Sequence, residues 1–260
     1  MKMFSSFKRI YFFIALICIS IPIHTFDQFI FPELDSISIT KQITHVDKKK
    51  WTLIIYMAAD NDLRGFAARN IKQMAQIGSN EHINIIIHLD IRISGNKKVT
   101  RRYYVEKDAI VHVNADDPHS QSMDSGNPNT LISCCAWGIN SYPAEHYGVI
   151  FWNHGSGTID FTNGRILNTA EMFTFNPRTN KLELDRSIDF FENNDATTRE
   201  RFKCHRGVCW DDTSGNYLTN QKLDKALEYV CTHHLNGGKF SLIGFDACFM
   251  AMLEVAEIVK

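Results

Sequence analysis

Apolar and polar positions divide this chain into short buried runs, amphipathic stretches and polar connections. Residues 51–57, 84–90, 147–152 and 240–245 are runs of mainly apolar residues, each ending at a polar or Gly-containing turn. Such runs read as strands of a parallel sheet that is covered on both faces. Between the first two, Leu63, Ala67, Ile71, Met74 and Ile77 recur at helical spacing. Asp60, Asn61 and Asp62 supply capping residues before that helix, and Gly78-Ser79-Asn80 end it. Strand, helix, strand in this order predicts a right-handed crossover and a parallel pair.

Residues 101–106 predict a third strand nearer the sheet edge, and the Asp-, Ser-, Asn- and Pro-rich residues 108–129 a loop. Thr130 is placed to cap a short helix through Ile139, which leads past Pro143 into the 147–152 strand. Residues 158–206 have no clear periodicity, and connections of that length are usually functional or mobile. Residues 206–218 predict a strand and a turn. Thr219 then caps a helix carrying Leu223, Ala226, Leu227 and Val230 on one face, and Gly237-Gly238 break it. The expected class is α/β, a mostly parallel sheet flanked by helices.

The N-terminus departs from this pattern. Lys2, Lys8 and Arg9 precede an uncharged, mainly apolar stretch of 14 residues, 10–23. A secretory core has roughly 7–15 apolar residues, whereas a spanning helix needs about 20. Residues 1–25 are therefore read as a signal sequence, with a retained N-terminal anchor as the alternative. A membrane is a partner only in that second case. Residues 26–50 read as an exposed linker and 51–260 as the domain proper. The protein is expected to be exported.

Composition adds exclusions. With 44% hydrophobic and 22% charged residues the chain is neither disordered nor fibrous, and its net charge of -1 gives no pull toward nucleic acid. Six cysteines remain once Cys18 leaves with the signal. No paired Cys-x-x-Cys knuckles exist, so a structural zinc is not expected. Cys204 and Cys209 are compatible with a disulfide in an oxidising compartment, but spacing does not decide pairing.

The chemistry sits at the ends of two apolar runs, where His154 follows one and Cys248 the other. Ligands of open α/β sheets bind beyond the carboxyl ends of the strands, so neighbouring strands would bring imidazole and thiol to one rim. A thiol attacks carbonyl carbon as thiolate. His154 favours that form, as does a helix beginning at Cys248, which Phe249, Met252, Leu253 and Ala256 predict. The amides of Gly155 and Cys248 are candidate oxyanion donors, and Asp246 a helix N-cap. Taken singly, Cys248 also fits a small buried hydrophobe and His154 a turn residue.

Four blocks together resemble the clostripain family of cysteine peptidases. They are residues 51–63, residues 147–157 with Trp152-Asn-His-Gly-Ser-Gly157, residues 207–218 with Gly207-Val-Cys-Trp-Asp-Asp-Thr-Ser-Gly215, and Asp246-Ala-Cys-Phe-Met250. The resemblance implies a caspase-like α/β fold, His154 as general base and acid, and Cys248 as the nucleophile that forms an acyl-enzyme. It also implies protein or peptide substrates cleaved after Arg or Lys, with Asp246 lining the pocket for that residue. Self-cleavage between the His and Cys blocks is a family property, and Arg165, Arg178, Lys181, Arg186, Arg199, Arg201 and Lys203 are the candidate positions. No cofactor is expected. Calcium dependence occurs in the family, yet no ligand block here matches it.

The family fold continues with further strands beyond the helix after the Cys block, whereas Lys260 lies twelve residues past Cys248. On this reading those C-terminal strands are missing from the chain. A sheet ending at the Cys248 strand would leave an unpaired edge. The alternatives to a peptidase are an inactive binding module on the same scaffold and a thiol acyltransferase.

Overall fold

The computed structural model describes residues 34, 36–39, 47–95, 97–113, 122–157, 173–176, 181–184 and 207–260. Residues 1–25, most of 26–50 and most of 158–206 lie outside them, as do Cys18 and Cys204.

The central sheet has seven strands in the order β1-β5-β4-β3-β2-β6-β11. They are β1 (Ser38–Ile39), β2 (Lys49–Ala59), β3 (Ile83–Ser94), β4 (Lys97–Glu106), β5 (Ala109–His112), β6 (Ala144–Trp152) and β11 (Leu242–Asp246). Four of the six pairings are parallel, and β4 runs antiparallel to both β3 and β5. The mostly parallel α/β sheet expected from the apolar runs is therefore present. Two stretches expected outside the sheet join it. Ser38 and Ile39, in the predicted linker, pair with Ile110 and Val111, and β5 lies within the predicted 108–129 loop.

β2 is central because it is apolar on both sides. Ile54, Tyr56 and Ala58 enter one core, while Ile55, Met57 and Ala59 enter the other. Helix α1 (Arg64–Ile77) covers the second face with Ala67, Ile71 and Ala75, and Gly78 ends it at φ 67°. The first face is covered by α2 (Pro128–Ser141) and α3 (Asn220–His233). Asn127, not Thr130, caps α2, its side chain accepting from the Asn129 amide, while Thr130 is buried in the first turn. Pro128 at the start of the helix makes Asn127 the better cap, since proline suits the first helical position. Thr219 caps α3 as predicted, accepting from the Lys222 amide.

A hairpin of β9 (Gly207–Asp211) and β10 (Asn216–Thr219) leads into α3, and β7 (Phe173–Asn176) pairs antiparallel with β8 (Lys181–Leu184). Among the described residues β11 is an outermost strand, and its side chains are half-buried or exposed. The short α4 (Leu253–Ile258) follows it. No helix among the described residues is long and apolar enough to cross a membrane.

Candidate active site

β2, β6 and β11 lie side by side in parallel, so their carboxyl ends share one edge of the sheet. Met57 of β2 faces Trp152 of β6, and Trp152 faces Asp246 of β11. Two residues further along each of the last two strands come His154 and Cys248. The chain between them is packed tightly. A side chain added at Gly155 would run into the Cys248 carbonyl oxygen and come within 2.7 Å of Met250 Cγ and 3.1 Å of Ala247 Cβ. At Gly157, φ 56°, it would meet the Phe249 carbonyl oxygen and Met252. His154, Gly155, Asp246 and Cys248, singled out from four positions in the sequence, thus converge at one rim.

Cys248 differs from expectation in its backbone. It is not in the first turn of a helix: it lies in a turn, and α4 starts only at Leu253. Phe249 interrupts helix formation with φ 58°, a left-handed conformation that costs a non-glycine residue about 1 kcal/mol or more. The helix that follows therefore starts too late to set its N-terminus at the thiol. For the same reason Asp246 does not cap a helix. It ends β11, its carbonyl accepts from the Asn153 amide at 3.2 Å, and its side chain is exposed at the rim. Cys248 is exposed, while Cys134, Cys135 and Cys209 are buried free thiols. Burial raises the pKa of the Cys209 thiol, while a hydrogen bond with Cys134, and then burial, raises that of Cys135.

The turn after β6 is held by β9. Ser156 exchanges bonds with Gly207, its amide donating to the carbonyl at 3.0 Å and its hydroxyl accepting from the Gly207 amide at 3.1 Å. Gly155 faces Val208 in an isolated antiparallel bridge. Two asparagines clasp Trp210. Asn153 Oδ1 accepts from the Trp210 amide at 2.9 Å, and Asn61 Nδ2 donates to the Trp210 carbonyl at 2.9 Å. Their neighbours in sequence, His154 and Asp62, then meet, with Nε2 to Oδ1 at 2.6 Å. In the sequence Asp62 stands among the capping residues before a helix and within the family-like block 51–63, just past the carboxyl end of an apolar strand, with nothing that links it to His154.

Behind the rim lies a buried charge cluster that the sequence did not disclose. Lys98 of β4 contacts Asp90 of β3 at 3.0 Å and bonds Asp211, with Asp60 at 3.9 Å. Arg92 reaches Asp60 at 3.5 Å and Asp212 at 3.1 Å. Burial pushes Asp90 up to about 7, with the Lys98 charge opposing it. Burial acts on Asp211 too, but hydrogen bonds from Lys98 and the Ser214 amide win and hold it at about 2. The described residues contain no group of three or more His, Cys, Asp or Glu that fits a metal ion. The converging carboxylates are met by an ammonium instead, so they do not fit a calcium ion.

A family model described as the clostripain family, peptidase C11, matches residues 55–185 and 170–260. Clostripain of Hathewaya histolytica is 25% identical over 238 residues, covering 84% of this chain and 37% of clostripain. A secreted C11 cysteine protease from Bacteroides thetaiotaomicron, solved with an irreversible peptide inhibitor, aligns over 80% of this chain and 45% of its own, at 22% identity and TM-score 0.46. An inactive zymogen C11 protease from Parabacteroides distasonis aligns over 83% and 47%, at 20% identity and TM-score 0.47. The chain therefore spans less than half the length of each of these relatives.

Proposed function

Because this chain belongs to the clostripain family, we propose that it carries the site of an exported cysteine endopeptidase that cleaves after Arg or Lys. The observation that carries the reading is the register of β6 and β11. Trp152 faces Asp246, and the two segments stay in contact through Gly155, so His154 and Cys248 emerge at one edge.

His154 removes the Cys248 proton, and the thiolate attacks the scissile carbonyl carbon. The amides of Gly155 and Cys248 stabilise the resulting oxyanion, each such donor being worth about 3 kcal/mol in comparable sites. His154 then protonates the leaving amine, and water releases the acyl group from sulfur with His154 as base. With the following helix starting only at Leu253, His154 is the group assigned to activate the thiol. Asp246, exposed two residues before Cys248, is a carboxylate suited to a bidentate guanidinium or an ammonium from the substrate. Self-processing within 158–206 is part of the same proposal. Of its candidate positions only Lys181, in β8, lies among the described residues.

The test is incubation of the purified chain with an Arg- or Lys-directed chloromethylketone, followed by intact mass and peptide mapping. A single adduct on Cys248 that disappears in Cys248→Ala is expected. A folded sample that takes no adduct overturns the proposal and favours an inactive binding module. Turnover to amine acceptors rather than water would identify an acyltransferase.

A further inference from the structure

We propose that Asp62 is a positioning residue for His154, accepting a hydrogen bond from Nε2 and so leaving Nδ1 as the nitrogen that receives the thiol proton. The inference rests on the His154–Cys248 reading above. Its starting point is the 2.6 Å contact between His154 Nε2 and Asp62 Oδ1. An ionised carboxylate only accepts hydrogen bonds, so the proton in this contact belongs to Nε2. A neutral imidazole carries one N–H. With that proton on Nε2, the free lone pair is on Nδ1.

The backbone on both sides fixes the contact. Asn61, immediately before Asp62, donates to the carbonyls of Ala58 at 3.0 Å and Trp210 at 2.9 Å and accepts from the Leu63 amide at 3.0 Å. Asn153, immediately before His154, accepts from the Trp210 amide at 2.9 Å. Its own amide donates to the Asp246 carbonyl at 3.2 Å, which ties the histidine turn to the strand that leads to Cys248. Asp62 and His154 are thus the side chains next to two buried clamps on one tryptophan backbone. The Asp62 side chain is 78% exposed, and exposed ion pairs contribute little to stability. The contact therefore acts on the orientation and proton placement of the ring.

Nitrogen NMR of the chain with labelled histidine reads the tautomer directly, with His154→Gln assigning the resonances. Site-resolved alkylation by iodoacetamide at neutral pH reads Cys248 in the same samples. The expected wild-type signature is Nε2–H. Asp62→Glu retains a carboxylate, which only accepts, so it should keep that tautomer and an alkylation rate within about threefold of wild type. Asp62→Ala should give mixed tautomers and slow alkylation on the order of tenfold, with an unchanged circular dichroism spectrum. An Asp62→Ala protein with the wild-type tautomer and rate, beside a slow His154→Gln, overturns the role of Asp62 and leaves the dyad standing. If His154→Gln itself alkylates at the wild-type rate, the dyad fails and the role of Asp62 fails with it.

Discussion

Asn153 and Trp210 are joined in both directions: the asparagine Oδ1 accepts from the Trp210 amide at 2.9 Å, and its Nδ2 donates to the Trp210 carbonyl at 3.3 Å. The same Nδ2 bonds the Ala58 carbonyl of β2. One buried side chain thereby ties β2, the end of β6 and β9 together behind the rim. Asn153→Ala leaves the Trp210 amide without this acceptor in a buried setting and should cost about 3 kcal/mol. A urea unfolding midpoint equal to wild type would show that the clamp is not structural. Asn153→Asp is a sharper version, because it keeps the acceptor, removes the donor and adds a buried charge.

Gly155 is where the two reactive segments touch. A methyl group there overlaps the Cys248 carbonyl oxygen, which is backbone and does not rotate away. Gly155→Ala should destabilise by about 2 kcal/mol and separate the His154 turn from the Cys248 turn. Cys248→Ala, at an exposed position, should change stability by no more than about 0.5 kcal/mol. The two variants should therefore both lose chloromethylketone labelling, but only Gly155→Ala should lower the melting temperature.

Lys98 is the cation for three carboxylates, Asp90 of β3 at 3.0 Å, Asp60 just past β2 at 3.9 Å, and Asp211 of β9 in close contact. Lys98→Met strands buried negative charge and should cost about 3–5 kcal/mol. Adding Asp211→Asn to that variant should recover part of the loss, since it removes one of the stranded charges. A double variant less stable than the single one would contradict this account.

The pH dependence follows from the same cluster. Asp90 is held at about 7 in the folded protein against an ordinary value of 3.8. Between about pH 4 and about pH 7 the folded state keeps a proton that the unfolded chain has released. Asp90 therefore contributes a decline in stability as pH rises through that window. Burial lowers His88, whose contribution runs the other way and is lost as pH falls below 6.5. The difference between wild-type and Asp90→Asn urea midpoints, followed from about pH 4 to about pH 8, isolates the Asp90 part. The variant should lack the decline. A difference that is flat over the whole window would mean that Asp90 ionises normally.

Much of the sheet and the order of its strands along the chain were legible because both are local. An apolar run bounded by polar turns, such as 51–57, buries only as a strand covered on both faces. An amphipathic stretch such as Leu63 to Ile77 buries only as a helix against it. Thr219 capped its helix as read, because the cap lies within three residues of its partner. β5 was missed, since its four residues carry too little pattern amid polar neighbours. The helix expected from Cys248 onward was also misplaced: the apolar spacing was helical, but packing against Gly155 and Gly157 holds Phe249 in a left-handed turn.

The sequence by itself determined which residues carry the candidate chemistry, because thiol, imidazole and carboxylate are properties of side chains and each stands at the end of a local apolar run. The tertiary structure alone decided what surrounds them. Asp62 reaches His154 across 92 positions, and Lys98 meets Asp211 across 113. Such pairs depend on which elements lie side by side, here β2 beside β6 and β9 against β2. That order is settled by burying two faces of one sheet at once, and no stretch of neighbouring residues records it.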